Sequence, residues 1–220
     1  MKYEAVIFDL DGTLLNTLQD IADGVNYALR SFGYPERTVD EIRRFVGNGA
    51  VKLLERALPE TVDEEKFARF YKTYDAYYTS HSRVKTAPYK GVPELLQTLR
   101  AAGIRTAVFS NKQDNAVRPL CAYYFADRLD YATGPTEDVP KKPDPRGLYF
   151  IAEVLHTKPE RVLYVGDSET DVQTGLSAGI DTVSVLWGFR DKETLEKAGA
   201  CRFAQDVQAL KNYILPEKRS

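Results

Sequence analysis

Among 220 residues the sequence holds two cysteines, one methionine and one tryptophan. Cys121 and Cys201 stand far apart, with no Cys-x-x-Cys pair and no histidine at ligand spacing, so neither a disulfide framework nor a thiolate metal site is on offer. Both read as buried free thiols. No apolar run approaches the length that crosses a bilayer. The opening Met1-Lys2-Tyr3-Glu4 lacks the apolar stretch and small-residue cleavage site of a secretory signal, so the reducing cytoplasm is the expected compartment. An excess of basic charge is missing too: the formal net charge is −2, with Lys and Arg spread along the chain. That excludes the electrostatic footprint demanded by nucleic acid or an anionic membrane surface. Internal repeats and low-complexity segments are also absent.

What is present is the composition of an ordinary globular protein, 43% apolar and 28% charged, long enough for one large domain or a core domain with an insertion. Continuous apolar runs at Ala5 to Leu10, Arg105 to Ser110, Arg161 to Val165 and Thr182 to Leu186 predict strands buried on both faces. Helical stretches alternate with them: Val92 to Ala102 before Gly103, Asn115 to Tyr124, Pro145 to Leu155, and Thr170 to Ala178 before Gly179. Alternation of this kind implies right-handed crossovers into a parallel sheet, an α/β doubly wound core. About ninety residues separate the first two strands, far more than a crossover needs, and they read as helix throughout. One stripe runs Leu18, Ile21, Ala22, Val25, Ala28, Leu29 and Phe32. A second runs Val51, Leu54, Ala57 and Leu58, and a third Phe67, Phe70, Tyr71, Tyr74, Tyr77 and Tyr78. Such one-sided stripes signal packing. The expected organisation is a core of residues 1–14 and 84–220 with an all-helical insertion at 15–83.

Chemistry concentrates at the ends of the apolar runs. Asp9 and Asp11, in Phe8-Asp9-Leu10-Asp11-Gly12-Thr13, follow the first strand at the edge where open α/β sheets bind ligands. Residues i and i+2 of a strand share a face, so the two carboxylates crowd unless the chain turns, as Gly12 permits, or a cation lies between them. A second pair, Asp167 and Asp171, follows another strand in Gly166-Asp167-Ser168-Glu169-Thr170-Asp171, one helical turn apart. Taken alone, Asp167 is equally an ordinary residue before a helix start. Four carboxylates converging in one cleft call for a divalent cation, and oxygen-only ligands suit Mg²⁺. Ser110-Asn111-Lys112 brings a hydroxyl, an amide and a helix start to the end of the second strand. Lys142 precedes a helix whose beginning is set by Pro143 and Pro145.

These four elements, Asp-Leu-Asp-Gly-Thr, Ser110, Lys142 and the Gly166 to Asp171 run, resemble the motifs of the haloacid dehalogenase superfamily over the whole chain. The resemblance implies a Rossmann-like core and a helical cap inserted after the first motif. It implies Asp9 as nucleophile and Asp11 as general acid and then general base. Ser110 and Lys142 become phosphate binders, joined by Gly12 and Asn111. Asp9, the Asp11 carbonyl and Asp167 become Mg²⁺ ligands, with Asp171 in support. The implied reaction is magnesium-dependent hydrolysis of a small phosphorylated metabolite through a phospho-aspartate, by a monomer or homodimer.

Dehalogenases of the superfamily lack the second aspartate, so Asp11 argues for a phosphatase. The Gly-x-Gly run Gly47-Asn48-Gly49, Asn111-Lys112 and Trp187-Gly188 are similar to the phosphoglycolate phosphatase subgroup. Inorganic pyrophosphatases of that subgroup, then sugar phosphomutases, then a noncatalytic binding module, are the alternatives. Asn16 and Lys90 depart from the pattern outside the four motifs and bear on specificity. Gly47 to Gly49 can offer amides to a substrate carboxylate, with Arg43, Arg44 or Lys52 nearby, or can be a helix–helix turn using glycine for its backbone freedom.

Overall fold

The computed structural model describes residues 2–216; residue 1 and residues 217–220, the ends of the expected core span, lie outside the described residues. In chain order the elements are β1 (Ala5–Phe8), β2 (Leu15–Asn16), α1 (Leu18–Ser31), α2 (Val39–Phe45), α3 (Ala50–Ala57), α4 (Glu64–His81) and β3 (Ala87–Pro88). There follow α5 (Val92–Ala101), β4 (Arg105–Phe109), α6 (Asp114–Phe125), β5 (Tyr131–Thr133), α7 (Arg146–Val154), β6 (Val162–Gly166), α8 (Glu169–Ala178), β7 (Asp181–Val185), α9 (Lys192–Lys197), β8 (Phe203–Ala204) and α10 (Val207–Ile214). By compactness the chain divides into two units, residues 1–15 with 88–220, and residues 16–87.

The larger unit is a six-stranded, wholly parallel sheet in the order β5-β4-β1-β6-β7-β8. Every residue of β1 is buried, which its unbroken Ala-Val-Ile-Phe run requires. Alternate residues then feed two cores. Val6 and Phe8 pack with Leu96 and Leu99 of α5, Val117 and Leu120 of α6 and Leu210 of α10. Ala5 and Ile7 pack with Leu148 and Ile151 of α7. Each large aliphatic side chain sealed this way contributes roughly 1.5–3 kcal/mol, so the strand ends are held on a stiff platform. The fold class is α/β Rossmann-like and doubly wound. The edge strands β5 and β8, three and two residues long, were not among the strands expected from the sequence, because so short a half-buried run shows no apolar period.

The smaller unit is built from α1 to α4. Helix α1 lies on α4 through the buried positions Phe70, Tyr74 and Tyr78, spaced four apart on one face. Phe32 meets Phe70 edge-on at 5.4 Å, and Gly24 lets the helices close, since a Cβ there would sit 3.2 Å from the Tyr74 ring. Leu53, Leu54 and Ala57 form the buried face of α3; Val51, expected in that stripe, is exposed because it lies about a third of a turn off that face. The unit extends to residue 87 rather than 83. Buried Asp20 accepts hydrogen bonds from the backbone N–H of Lys85 (2.9 Å) and Thr86 (2.9 Å), and Lys85 pairs with Asp23 at 2.7 Å, tying this segment to α1.

Both cysteines are free, yet only Cys121 is buried; Cys201 is exposed in the turn between α9 and β8. Burial pushes the Cys121 thiol up to about 12, so it is inert packing. No helix among the described residues is long and apolar enough to cross a membrane.

Candidate active site

In the strand order, the chain direction across the sheet reverses between β1 and β6, and ligands bind doubly wound sheets in the crevice at the carboxyl ends of such a pair. Asp9 is the first residue past β1, its N–H bonded to the Val165 carbonyl at 2.8 Å, and Asp167 is the first past β6. The platform thus delivers one carboxylate from each side of the reversal. Asp171 comes from the first turn of α8, where it shares a capping box with Ser168, Asp171 N–H donating to Ser168 Oγ at 3.4 Å and Ser168 N–H to the Asp171 carboxylate at 3.1 Å; the Ser168 hydroxyl also donates to that carboxylate at 2.6 Å. The carboxylates of Asp9, Asp167 and Asp171 are all buried and bring ligand atoms within 4.8 Å of one another.

A buried cation bridges two of them. Lys142 Nζ donates to Asp9 at 2.8 Å and to Asp171 at 2.6 Å, with its side chain 2% exposed. Its backbone is clamped in turn: Lys142 N–H donates to Asn111 Oδ1 at 2.8 Å, and Asn111 Nδ2 donates to the Lys142 carbonyl at 3.1 Å. Tyr164 O–H completes the Asp171 shell at 2.5 Å. Asp167 accepts from Thr13 O–H at 3.2 Å and Phe189 N–H at 2.7 Å. Two glycines wall it. A Cβ on Gly12, whose φ is +92°, would lie 2.2 Å from Asp167 Oδ2, and one on Gly188 would lie 2.3 Å from Asp167 Cβ. Gly12→Ala is therefore expected to cost more than about 2 kcal/mol, from strain at positive φ and the clash together. Urea melts of the variant check it; a loss under about 0.5 kcal/mol would mean that the turn yields.

The charges do not balance within the cluster. Burial raises Asp9 to about 7, with Lys142 opposing and Asp171 and Asp11 adding to the rise. Burial, then the negative charges of Asp9 and Asp171, hold Asp167 well above the usual carboxylate range. Asp171 is the exception. Burial pushes it up, but the Lys142 charge and the bonds from Lys142, Ser168 and Tyr164 outweigh that and hold it below its ordinary value. Two carboxylates with excess negative charge beside a third, all oxygen donors in a dry site, have the chemistry of a hard divalent cation site. The residues present fit Mg²⁺.

Asp11 points its carboxylate to Lys112, whose Nζ donates to both oxygens at 2.9 and 2.8 Å. Ser110 is buried and accepts from Lys112 N–H at 3.2 Å. Asp9, Asp11, Gly12, Ser110, Asn111, Lys142, Asp167 and Asp171 all belong to the larger unit. Gly47, Asn48 and Gly49 lie in the smaller one, between α2 and α3, with Gly47 and Gly49 at φ +121° and +85°. The cations expected near them are engaged on their own helices: Arg43 and Arg44 with Asp40, and Lys52 with Glu55 at 2.6 Å. Tyr164, Ser168 and the Phe189 N–H were not singled out from the sequence as site groups, and Lys112 was noted only within the Asn111-Lys112 run, without a role of its own. For Lys112 the available signal was its place two residues after Ser110.

A buried trio of carboxylates, two of them bridged by one lysine, at the reversal point of a parallel doubly wound sheet, defines an α/β protein with a preformed acidic crevice. The family model of haloacid dehalogenase-like hydrolases matches residues 6–185, and the chain belongs to that family. A phosphoglycolate phosphatase of Psychrobacter arcticus is 31% identical over 98% of this chain and 97% of its own. Another, of Aquifex aeolicus, is 32% identical over 84% of this chain and 85% of its own. A crystal structure from Lactobacillus delbrueckii subsp. bulgaricus matches with a TM-score of 0.91 at 33% identity, covering 99% of this chain and all of that one.

Proposed function

We propose that this hydrolase is a magnesium-dependent phosphatase that cleaves a small phosphate monoester, phosphoglycolate foremost, through a phospho-aspartate on Asp9. The observation that carries the reading is the Lys142 bridge from Asp9 to Asp171 beside Asp167. It gives one carboxylate a cationic neighbour and a crevice position suited to in-line attack. The names of the Psychrobacter and Aquifex relatives support the substrate.

Asp9 attacks phosphorus, forming an acyl phosphate as the ester P–O bond breaks, and the leaving oxygen takes a proton from Asp11. Water then attacks phosphorus, gives its proton to Asp11 and releases phosphate with Asp9 restored. Lys142 offsets charge on the phosphoryl oxygens, and Ser110 offers them a hydroxyl. Asn111 and Asp171 hold Lys142 at its two ends, backbone and ammonium. Asp9, Asp167 and the Asp11 carbonyl would hold Mg²⁺, which supplies electrostatic stabilisation of the same oxygens when bound.

Phosphate release from phosphoglycolate, pyrophosphate, hexose phosphates, nucleotides and p-nitrophenyl phosphate, with Mg²⁺ and with EDTA, tests this reading. The expected result is metal-dependent release with phosphoglycolate preferred, and a melting temperature that rises with Mg²⁺ because only the native state binds it. Preference for pyrophosphate would keep the mechanism and replace the substrate. Dependence on a bisphosphate activator would favour a mutase, and no release from any compound would overturn the reading.

A further inference from the structure

We infer that Lys112 sets specificity for monoesters whose leaving group carries a second anion close to the ester oxygen, by exchanging the Asp11 carboxylate for that of the substrate. The inference rests on the phosphatase reading above and deepens it. Lys112 and Asp11 are 101 residues apart in sequence, yet the ammonium meets both carboxylate oxygens, and the two side chains are only 9% and 13% exposed. This is not one of the solvated surface pairs that count for little; loosening it leaves a mostly buried ammonium less well compensated. Lys112 is also fixed locally. Its N–H is held by Ser110 Oγ at 3.2 Å, and its neighbour Asn111 clamps the Lys142 backbone, so the segment that carries Lys112 also braces the phosphoryl site.

To serve a leaving oxygen, Asp11 must bring a carboxyl oxygen to about 3 Å from it, giving up at least part of its hold on Lys112. The Lys112 Nζ, 2.8 Å from Asp11, then stands within about 6 Å of that oxygen. A carboxylate one carbon beyond the leaving oxygen spans about 3 Å and accepts at about 2.8 Å, which closes the same gap. The substrate anion thereby takes over the bond that Asp11 releases. A leaving group bearing only hydroxyls has the reach but not the charge.

The test compares phosphoglycolate with 2-hydroxyethyl phosphate, equal in length but neutral in the leaving group, for the wild type, Lys112→Met and Lys112→Arg. The readout is the ratio of kcat/KM values for the two substrates, in which any loss of folded protein and any misplacement of Asp11 cancel. In Lys112→Met the ratio is expected to fall at least about tenfold, mainly through the KM for phosphoglycolate, while Lys112→Arg keeps it within about threefold. An unchanged ratio in Lys112→Met, with the wild type active, overturns the inference alone. A wild type that releases phosphate from neither compound overturns the phosphatase reading on which it rests.

Discussion

Asp9→Asn lowers phosphate release by at least about 10,000-fold while the protein keeps its fold and its melting temperature, because asparagine cannot form the acyl phosphate but still offers Lys142 an oxygen. The stability half of this expectation follows from the electrostatics. Burial holds the Asp9 carboxyl at about 7, so its charged form is disfavoured in the folded protein despite the Lys142 bond. A neutral amide of the same shape removes that cost. Melting is expected within about 3 °C of the wild type or above it, since each kcal/mol moves a protein of this size by about 2–4 °C. Residual turnover above about 1% would mean that another group attacks phosphorus. A collapse in melting temperature would mean that the Asp9 charge is structural.

Lys142→Met acts on the same cluster from the other side and is expected to be far more destructive. It removes the ammonium that bridges Asp9 and Asp171, leaving three buried carboxylates whose ligand atoms lie within 4.8 Å of one another. Deleting one partner of a buried ion pair costs about 3–5 kcal/mol, which corresponds to a melting temperature lower by about 6–20 °C. Phosphate release falls below detection. Added Mg²⁺ stabilises this variant by more degrees than it stabilises the wild type, because the cation then balances more uncompensated charge. Thermal melts of both proteins with and without Mg²⁺ check this. A destabilisation under about 1 kcal/mol would mean that the cluster relaxes by protonation or by admitting water, contrary to the account. The two substitutions thus predict sharply different stability effects, near-neutral and strongly destabilising, from neighbouring atoms 2.8 Å apart.

Much of the architecture was legible because its signals are local. The runs that become β1 and β6 are apolar without interruption, as a strand covered on both faces tolerates, β4 and β7 keep buried residues toward their carboxyl ends, and the ends of β1, β4 and β6 carry Asp9, Ser110 and Asp167. The helix that follows Asp167 was expected from Thr170, one residue from where α8 begins, because its apolar spacing and Gly179 mark it, although the Ser168–Asp171 capping box that starts it was not read. The three buried aromatic positions of α4 follow helical spacing for the same reason. What did not show was either too short or too distant. Tyr131–Thr133 and Phe203–Ala204 become strands because a neighbouring strand pairs with them, not because of their own composition. Cys201 sits in apolar company along the chain yet faces solvent, since the turn before β8 is at the surface. The Asp11–Lys112 pair joins positions whose nearness is a property of the sheet, and residue spacing carries no trace of it. Asn111 illustrates an intermediate case. Its neighbours mark a site, but only the structure reveals that both of its amide atoms hold the Lys142 backbone.

The mechanism turns on the transfer of phosphorus to Asp9 before water. The most direct measurement quenches the wild-type protein during turnover of phosphoglycolate with Mg²⁺, reduces it with borohydride and maps the modified peptide by mass spectrometry. An acyl phosphate is reduced where a free carboxylate is not, so homoserine is expected at position 9 and nowhere else. Reduction at another residue, or none at any residue while phosphate is being released, would contradict it.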